Sequence, residues 1–577
     1  MTRMLSGQLN VSLGKYAEKV ADALAEAEQA NVVKRIWDKD ASLWKSEEAH
    51  QKIIRNSLGW LTVAAQMSAV ADDLIAFADR TRASGEFDHV MLCGMGGSSL
   101  CPEVLSQTFG LQAGYPELLV LDSTDPDVVD ALEKRIDIEH CLFIIASKSG
   151  TTTEPLVFYK YWYDQVAKRK PNPGNSFVAI TDPNTRMVEM ATADHFQRIF
   201  LNPSDIGGRY SALSYFGMAP AALMGLDIKQ LLKRAAAMIS ECTPDVPVTE
   251  NPGARLGAVM GECALAGRDK LTIVTDEEVS ALGLWIEQLV AESTGKEAKG
   301  MVPVNVEPLG PPSVYGDDRI FVSITVGDLD GETQTRLKAL ESAGHPVVYR
   351  QLGDIYELGE EFFLWEFATA FAGWRLGINP FDQPNVQESK DATRELLEYF
   401  TKQGRLREQK KLVGDGALTI YVDDQSTGLP STSVLEALRA HLRKVKIGDY
   451  IALLVYIEET PETDAALQAI RTTLRDATKC ATTTGYGPRF LHSTGQLHKG
   501  GADKGVFIQL TALDRVDRAV PGESYSFSIL KEAQALGDFH SLASRGRRAI
   551  RVDLGKDVLK GLSHLHELIG KALSFPT

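Results

Sequence analysis

Cys141-Leu-Phe-Ile-Ile-Ala-Ser-Lys-Ser-Gly-Thr-Thr-Thr-Glu-Pro-Leu-Val-Phe-Tyr-Lys-Tyr-Trp162 is the stretch that decides the fold. Its first six residues are an apolar run of buried-strand length, and Leu156–Trp162 reads as the start of a helix. Between them lie five hydroxyl residues, Lys148 and Gly150. A strand, a loop of small hydroxyl side chains and a helix N-terminus make an anion site. First-turn N–H groups are unpaired, the helix dipole is positive there, and the hydroxyls add donors. Gly150 lets the backbone come close to a ligand. Simple helix capping needs fewer hydroxyls than this.

Outward from this stretch, strand and helix signals alternate. Runs at 89–93, 118–121, 141–146 and 176–181 are separated by helix-sized segments, after a largely helical stretch over 12–80. A second series has strands at 270–275, 319–325 and 346–350, with helices at 280–293, 331–343 and 360–376. A third has strands at 418–422, 450–456 and 506–509, with helices near 433–444, 462–477, 527–542 and 556–573. This pattern predicts doubly wound, mostly parallel α/β sheets. The expected division is 1–60 as an N-terminal helical segment, 61–205 and 206–395 as two α/β domains, and 396–577 as a third.

At 577 residues the chain is too long for one core. Its 44% hydrophobic and 24% charged content is that of an ordinary globular protein, and the formal charge of −16 argues against a general nucleic-acid binder. No apolar run approaches 18 residues and no secretory signal is evident, so no membrane partner is expected. Six scattered cysteines without a Cys-x-x-Cys pair suggest neither zinc nor disulfides, and a reduced, cytoplasmic setting is expected.

A second ligand-facing turn, Gly94-Met-Gly-Gly-Ser-Ser99, follows the strand at 89–93. Gly96, Gly97 and Ser98 suit a close backbone approach. The turn departs from the Gly-x-Gly-x-x-Gly of dinucleotide sites. In the second series, Glu292 closes a helix that ends at Gly295, where a desolvated carboxylate could serve as a base. Asp205-Ile-Gly-Gly-Arg209-Tyr-Ser211 offers a guanidinium suited to a developing oxyanion.

Gly96-Gly-Ser98, Ser147-Lys-Ser-Gly-Thr-Thr152, Gly207-Gly-Arg209-Tyr-Ser211, Glu292-Ser-Thr-Gly-Lys296 and Phe381-Asp-Gln383 with Lys390 occur in this order. Over roughly residues 50–395 the chain therefore resembles the phosphoglucose isomerases. The resemblance implies two sugar isomerase (SIS) domains, each a flavodoxin-like parallel sheet, with the third α/β domain appended. It implies interconversion of glucose 6-phosphate and fructose 6-phosphate through a cis-enediolate, without metal or organic cofactor. Ser98, Ser147, Ser149 and Thr152 would hold the phosphate, with Lys148, Thr151, Gly96 and Gly97 around it. Glu292 would be the base and Arg209 the enediolate partner, with Gln383 and Lys390 on the sugar. A homodimer is compatible with the resemblance, and the alternative functions are a dual phosphoglucose/phosphomannose isomerase and a non-catalytic sugar-phosphate sensor. Glu292, Arg209 and Lys390 speak against the sensor, which needs the phosphate loop but no base.

One expected element is missing. The family supplies a ring-opening histidine from a Gly-Gln-His segment about thirty residues after the glutamate, but Val322-Ser-Ile-Thr325 stands in that region. His345 lies in a helix-to-strand turn that suits a structural role. The loop Tyr486-Gly-Pro-Arg-Phe-Leu-His492-Ser-Thr-Gly-Gln-Leu-His498-Lys-Gly-Gly501 carries two histidines among glycines. Its Gly-Gln-x-His echo favours His498 as the acid, with His492 assigned to loop structure. Longer family members, including those fused to transaldolase, resemble this chain in carrying such a C-terminal domain. The three series leave no room for a transaldolase barrel.

Overall fold

The computed structural model describes residues 9–423 and 428–574. Three sheets follow one another along the chain. In the first, parallel strands run in the spatial order Glu117–Leu121, His89–Cys93, Cys141–Ala146, Phe177–Thr181, Arg198–Leu201. Numbered by sequence, that order is 2-1-3-4-5. Every residue of Cys141–Ala146 is buried, as befits a central parallel strand covered by helices on both faces.

The second sheet places Val302–Val304, Lys270–Thr275, Arg319–Val326 and Val347–Leu352 in the order 2-1-3-4. Leu9–Ser12 pairs antiparallel with Val347–Leu352 at its edge. The N-terminal stretch, expected to be largely helical, also supplies this edge strand.

The third sheet has the same parallel core. Ala481–Tyr486, Tyr450–Tyr456, Gly505–Thr511 and Arg548–Asp553 lie in the order 2-1-3-4. Thr419–Val422 and Lys410–Gly414 extend it antiparallel. The polar stretch 383–416 forms a helix, Val386–Gln403, and then the strand Lys410–Gly414. All six cysteines are buried and unpaired.

Among the described residues one helix, Trp60–Ser84, is long and apolar enough to cross a membrane. Trp60, Val63, Met67, Ala71, Leu74 and Ala78 bury one face of it in the core shared by the first two sheets. Asp72 and Asp73 on its other face pair with Lys229 and Arg198.

The third domain is fastened to the first by charge. Arg489 donates from Nε and Nη2 to Asp122 at 2.8 and 2.9 Å. Lys531 Nζ reaches Asp125 at 2.9 Å, and Arg518 pairs with Asp130. These contacts bring the loop 486–501 over the C-terminal ends of the first sheet's strands. In doubly wound sheets that is where ligands bind, at the point between strands 1 and 3 where the winding reverses.

Candidate active site

The two loops at that reversal point are the two singled out in the sequence. After strand 3, Ser147 Oγ donates to Thr152 Oγ1 at 3.1 Å, and Ser149 and Thr151 share a 3.0 Å hydroxyl contact. Thr152 occupies the N-cap of helix Thr153–Ala167 but makes no side-chain capping bond, so its hydroxyl stays with the loop. Gly150 has φ +64°, and a Cβ there would lie 2.8 Å from Thr185 Cβ. Lys148 turns away, pairing with Asp182 and donating to Ser204 O at 3.0 Å.

After strand 1, Gly96 has φ +56°. A Cβ on Gly97 would sit 2.0 Å from Gly208 O, so this turn presses directly against the Arg209 loop. Ser98 is buried beside them.

Arg209 is 2% exposed and thoroughly held. Nε donates to Ser293 Oγ at 2.7 Å, Nη1 to Gln383 Oε1 at 3.1 Å, and Nη2 to Pro380 O and Asp382 O at 2.8 and 3.0 Å. Nη1 also lies 3.0 Å from Glu292 Oε1. Such a planar fork cannot be mimicked by lysine. Glu292, in the last turn of helix Leu282–Thr294, accepts from Gln288 Nε2 at 3.1 Å through its other oxygen.

Gln288 links the two halves of the site. Its Nε2 also donates to His492 O at 2.8 Å, which joins the third domain's loop to the Glu292 carboxylate through one side chain. His492 then projects to helix Thr153–Ala167, where Nε2 lies 3.1 Å from Glu154 Oε1. Glu154 is buried, and burial alone would raise its carboxyl; the charge and hydrogen bond of His492, with Lys390 nearby, hold it below the ordinary range. Lys390 is exposed at the start of helix Val386–Gln403. That helix start is tied to the loop by Gln496, which donates to Gly295 O at 2.9 Å and to Asn385 Oδ1 at 2.8 Å.

His498, favoured by its sequence echo, is elsewhere. The short helix Gly495–Gly500 turns it into the third domain's core, with ring centroids 5.1 Å from Phe507 and 6.1 Å from Tyr450 and Phe490. Burial depresses its imidazole far below the usual range, and Nδ1 has no hydrogen-bond partner among the described residues. A general acid must reach its proton directly or through one water, and His498 faces rings instead. His345 is buried against Tyr315 and Phe321 with Arg268 3.0 Å from Nδ1, and burial lowers it to about 4. Glu154, an acid in the first turn of its helix, and Gln288 are not among the residues singled out from the sequence. The signal for Gln288 was its spacing of four from Glu292 on one helix face.

The arrangement unites an anion loop, a carboxylate facing a guanidinium, and an imidazole backed by a second carboxylate. A family model described as phosphoglucose isomerase matches residues 58–317. The glucose-6-phosphate isomerase of Rubrobacter xylanophilus is 30% identical over 370 residues, which cover 55% of this chain and 84% of that protein. The chain belongs to the phosphoglucose isomerase family. A probable glucose-6-phosphate isomerase of Methanococcus maripaludis is 26% identical, over 60% of this chain and 86% of its own length. The fold of a glucose-6-phosphate isomerase from Chlamydia trachomatis superposes with a TM-score of 0.52 at 19% identity, covering 66% of this chain and 86% of that one. The first two sheets are thus the SIS pair of a phosphoglucose isomerase, and the family model's match ends well before the third domain.

Proposed function

We propose that this cleft interconverts glucose 6-phosphate and fructose 6-phosphate with Glu292 as base, Arg209 as enediolate partner and His492 as the ring-opening acid. The observation that supports the reading is the Gln288 side chain, which donates both to Glu292 Oε2 and to the His492 carbonyl and so ties the base to the histidine's loop. A sensor would need the loop but neither of these groups.

Phosphate held by Ser147, Ser149, Thr151, Thr152 and the helix N-terminus supplies binding energy remote from the reacting carbons. His492 gives a proton to the ring oxygen, the bond from that oxygen to the anomeric carbon breaks, and the anomeric hydroxyl passes its proton to solvent as the carbonyl forms, with Lys390 near Glu154 and His492. Glu292 then removes the C2 proton, leaving a neutral carboxylic acid and a cis-enediolate; a proton moves from the C2 hydroxyl to the C1 oxygen, and Glu292 returns its proton to C1 as the C2 carbonyl forms. The enediolate charge faces Arg209, whose donors are fixed before the reaction begins. Gln383, bonded to Arg209, stands where the sugar hydroxyls pass.

A coupled assay of the purified chain on fructose 6-phosphate, with chelator present, tests this. Glucose 6-phosphate should accumulate, and Glu292→Gln should abolish its formation. Turnover that survives in Glu292→Gln would remove Glu292 as the base.

A further inference from the structure

Glu154 does not face His492 alone. Gln534, on helix Phe527–Ser544 of the third domain, donates from Nε2 to Glu154 Oε1 at 2.7 Å, onto the same oxygen that His492 contacts. Thr124, in the first domain, donates from Oγ1 to Gln534 Oε1 at 2.6 Å. Thr124 is fully buried and Gln534 is 2% exposed. The amide can point only one way. An ionised carboxylate accepts and never donates, so the NH2 must face Glu154 and the carbonyl must face the threonine hydroxyl.

We infer that Gln534 is a positioning residue for the Glu154–His492 pair, with its amide locked in the productive direction by Thr124. The inference rests on the reading of His492 as the ring-opening acid. The chain of contacts passes from first domain to third, back to first, and again to third: Thr124, Gln534, Glu154, His492. Docking of the third domain therefore delivers the histidine and the group that fixes its carboxylate in one movement. Donation to an ionised carboxylate favours the ionised form, and a buried carboxylate that loses a donor takes up a proton more readily. The charged and titratable groups facing Glu154 are His492, Lys390 and the phenols of Tyr456 and Tyr525. Gln534 adds an uncharged side-chain donor to that carboxylate, beside the backbone N–H of Glu154 itself.

The test compares two substrates across pH. Fructose 6-phosphate must be ring-opened; 5-deoxy-fructose 6-phosphate lacks the hydroxyl that closes the ring and needs only Glu292. Gln534→Leu should move the low-pH limb for fructose 6-phosphate upward by about one pH unit, the effect of one donor lost to a charged acceptor. KM and the profile for the 5-deoxy compound should stay in place. Gln534→Glu sets a second carboxylate beside the first and should move the limb further the same way. Thr124→Val, which unlocks the amide but keeps it, should move it less. If Gln534→Leu and Thr124→Val both leave the limb in place, or shift both substrates equally, Gln534 is only structural and the inference fails. The underlying reading fails separately, if His492→Ala leaves fructose 6-phosphate turnover unchanged.

Discussion

Two histidines six residues apart make opposite predictions, and comparing them tests the site directly. His492→Ala removes the acid that meets Glu154 at 3.1 Å. Losing a general acid costs ~10²–10⁴-fold, and that loss should appear in turnover of fructose 6-phosphate but not of its 5-deoxy analogue. It also leaves Glu154 buried without its imidazole partner, although Gln534 still donates to it. Breaking a buried pair costs about 3 kcal/mol at the low end of the usual range. His498→Ala should destabilise by a similar amount for another reason. It removes a ring packed on Phe507, Tyr450 and Phe490, and emptying an aromatic site costs about 3 kcal/mol. The two alanine variants should therefore unfold at similar urea concentrations and differ only in rate. His498→Phe sharpens the contrast. It keeps the ring, deletes the unpartnered Nδ1, and should match or exceed the parent's stability with parental turnover. Coupled kinetics on both substrates, with urea midpoints, provide the readout. The reasoning is refuted if His498→Phe loses fructose 6-phosphate turnover by 100-fold while His492→Ala stays within tenfold of the parent.

Further outcomes follow from the same geometry. Glu292→Gln should lower kcat by ~100-fold or more with little change in KM, measured at saturating fructose 6-phosphate. Ser147→Ala or Thr152→Ala should weaken binding of phosphorylated substrate by roughly 10–100-fold, the value of one hydrogen bond to a charged group, with an unchanged pH profile; unaltered binding would reduce the loop to a helix start. Arg209→Lys cannot reproduce contacts to Ser293, Gln383, Pro380 and Asp382, and kcat should fall by ~10²–10³-fold. Burial pushes the Glu287 carboxyl up to about 7 from an ordinary 4.5, against the pull of Arg471 and Arg489. A raised carboxyl contributes stability that is fully present below pH 4.5 and lost as pH rises through about 7. Glu287→Gln should flatten the fall in melting temperature between those values, and an unchanged slope would place the group in water.

The fold was legible because its parallel strands are buried on both faces and read as apolar runs, Cys141–Ala146 and Tyr450–Tyr456 above all. Short edge strands such as Arg198–Leu201 and Val302–Val304 carry no such run. Pairing with a neighbour, not their own pattern, makes them strands. Within the site, groups that act through local backbone were readable: the hydroxyl loop, the glycines around Gly96 and the helix-ending Glu292. The Glu154–His492 contact was not, because 338 residues separate its members and neither has a revealing neighbour. The Gly-Gln-x-His echo misled for a local reason. Gly495 and Gln496 start a helical turn, and that turn carries His498 to the sheet side while Gln496 reaches Gly295 O and Asn385.

The shared 2-1-3-4 strand order explains the division of labour among the three sheets. In the first, the reversal point between strands 1 and 3 is glycine-rich and lined with hydroxyls, and it is the proposed phosphate site. In the third, the same place lies at the ends of Tyr450–Tyr456 and Gly505–Thr511, and its residues are acidic and basic instead. There Asp514 shares the Lys531 ammonium with Asp125 of the first domain, and the backbone N–H groups of Arg515 and Val516 each donate to Asp127 at 3.2 Å. Asp127 lies in the first turn of helix Pro126–Arg135, whose N-cap is Asp125. The position proposed to bind ligand in one sheet thus serves as the docking surface in another. That docking sets Arg489 against Asp122, and three residues further on the chain presents His492 to Glu154. Charge contacts of this kind weaken with salt where they are exposed, as Arg515 is, and persist where they are buried, as Lys531 is. Ring opening should therefore resist moderate salt, while Lys531→Ala should slow fructose 6-phosphate and spare its 5-deoxy analogue. Equal slowing of both substrates would mean that the third domain supports the whole cleft and not the histidine alone.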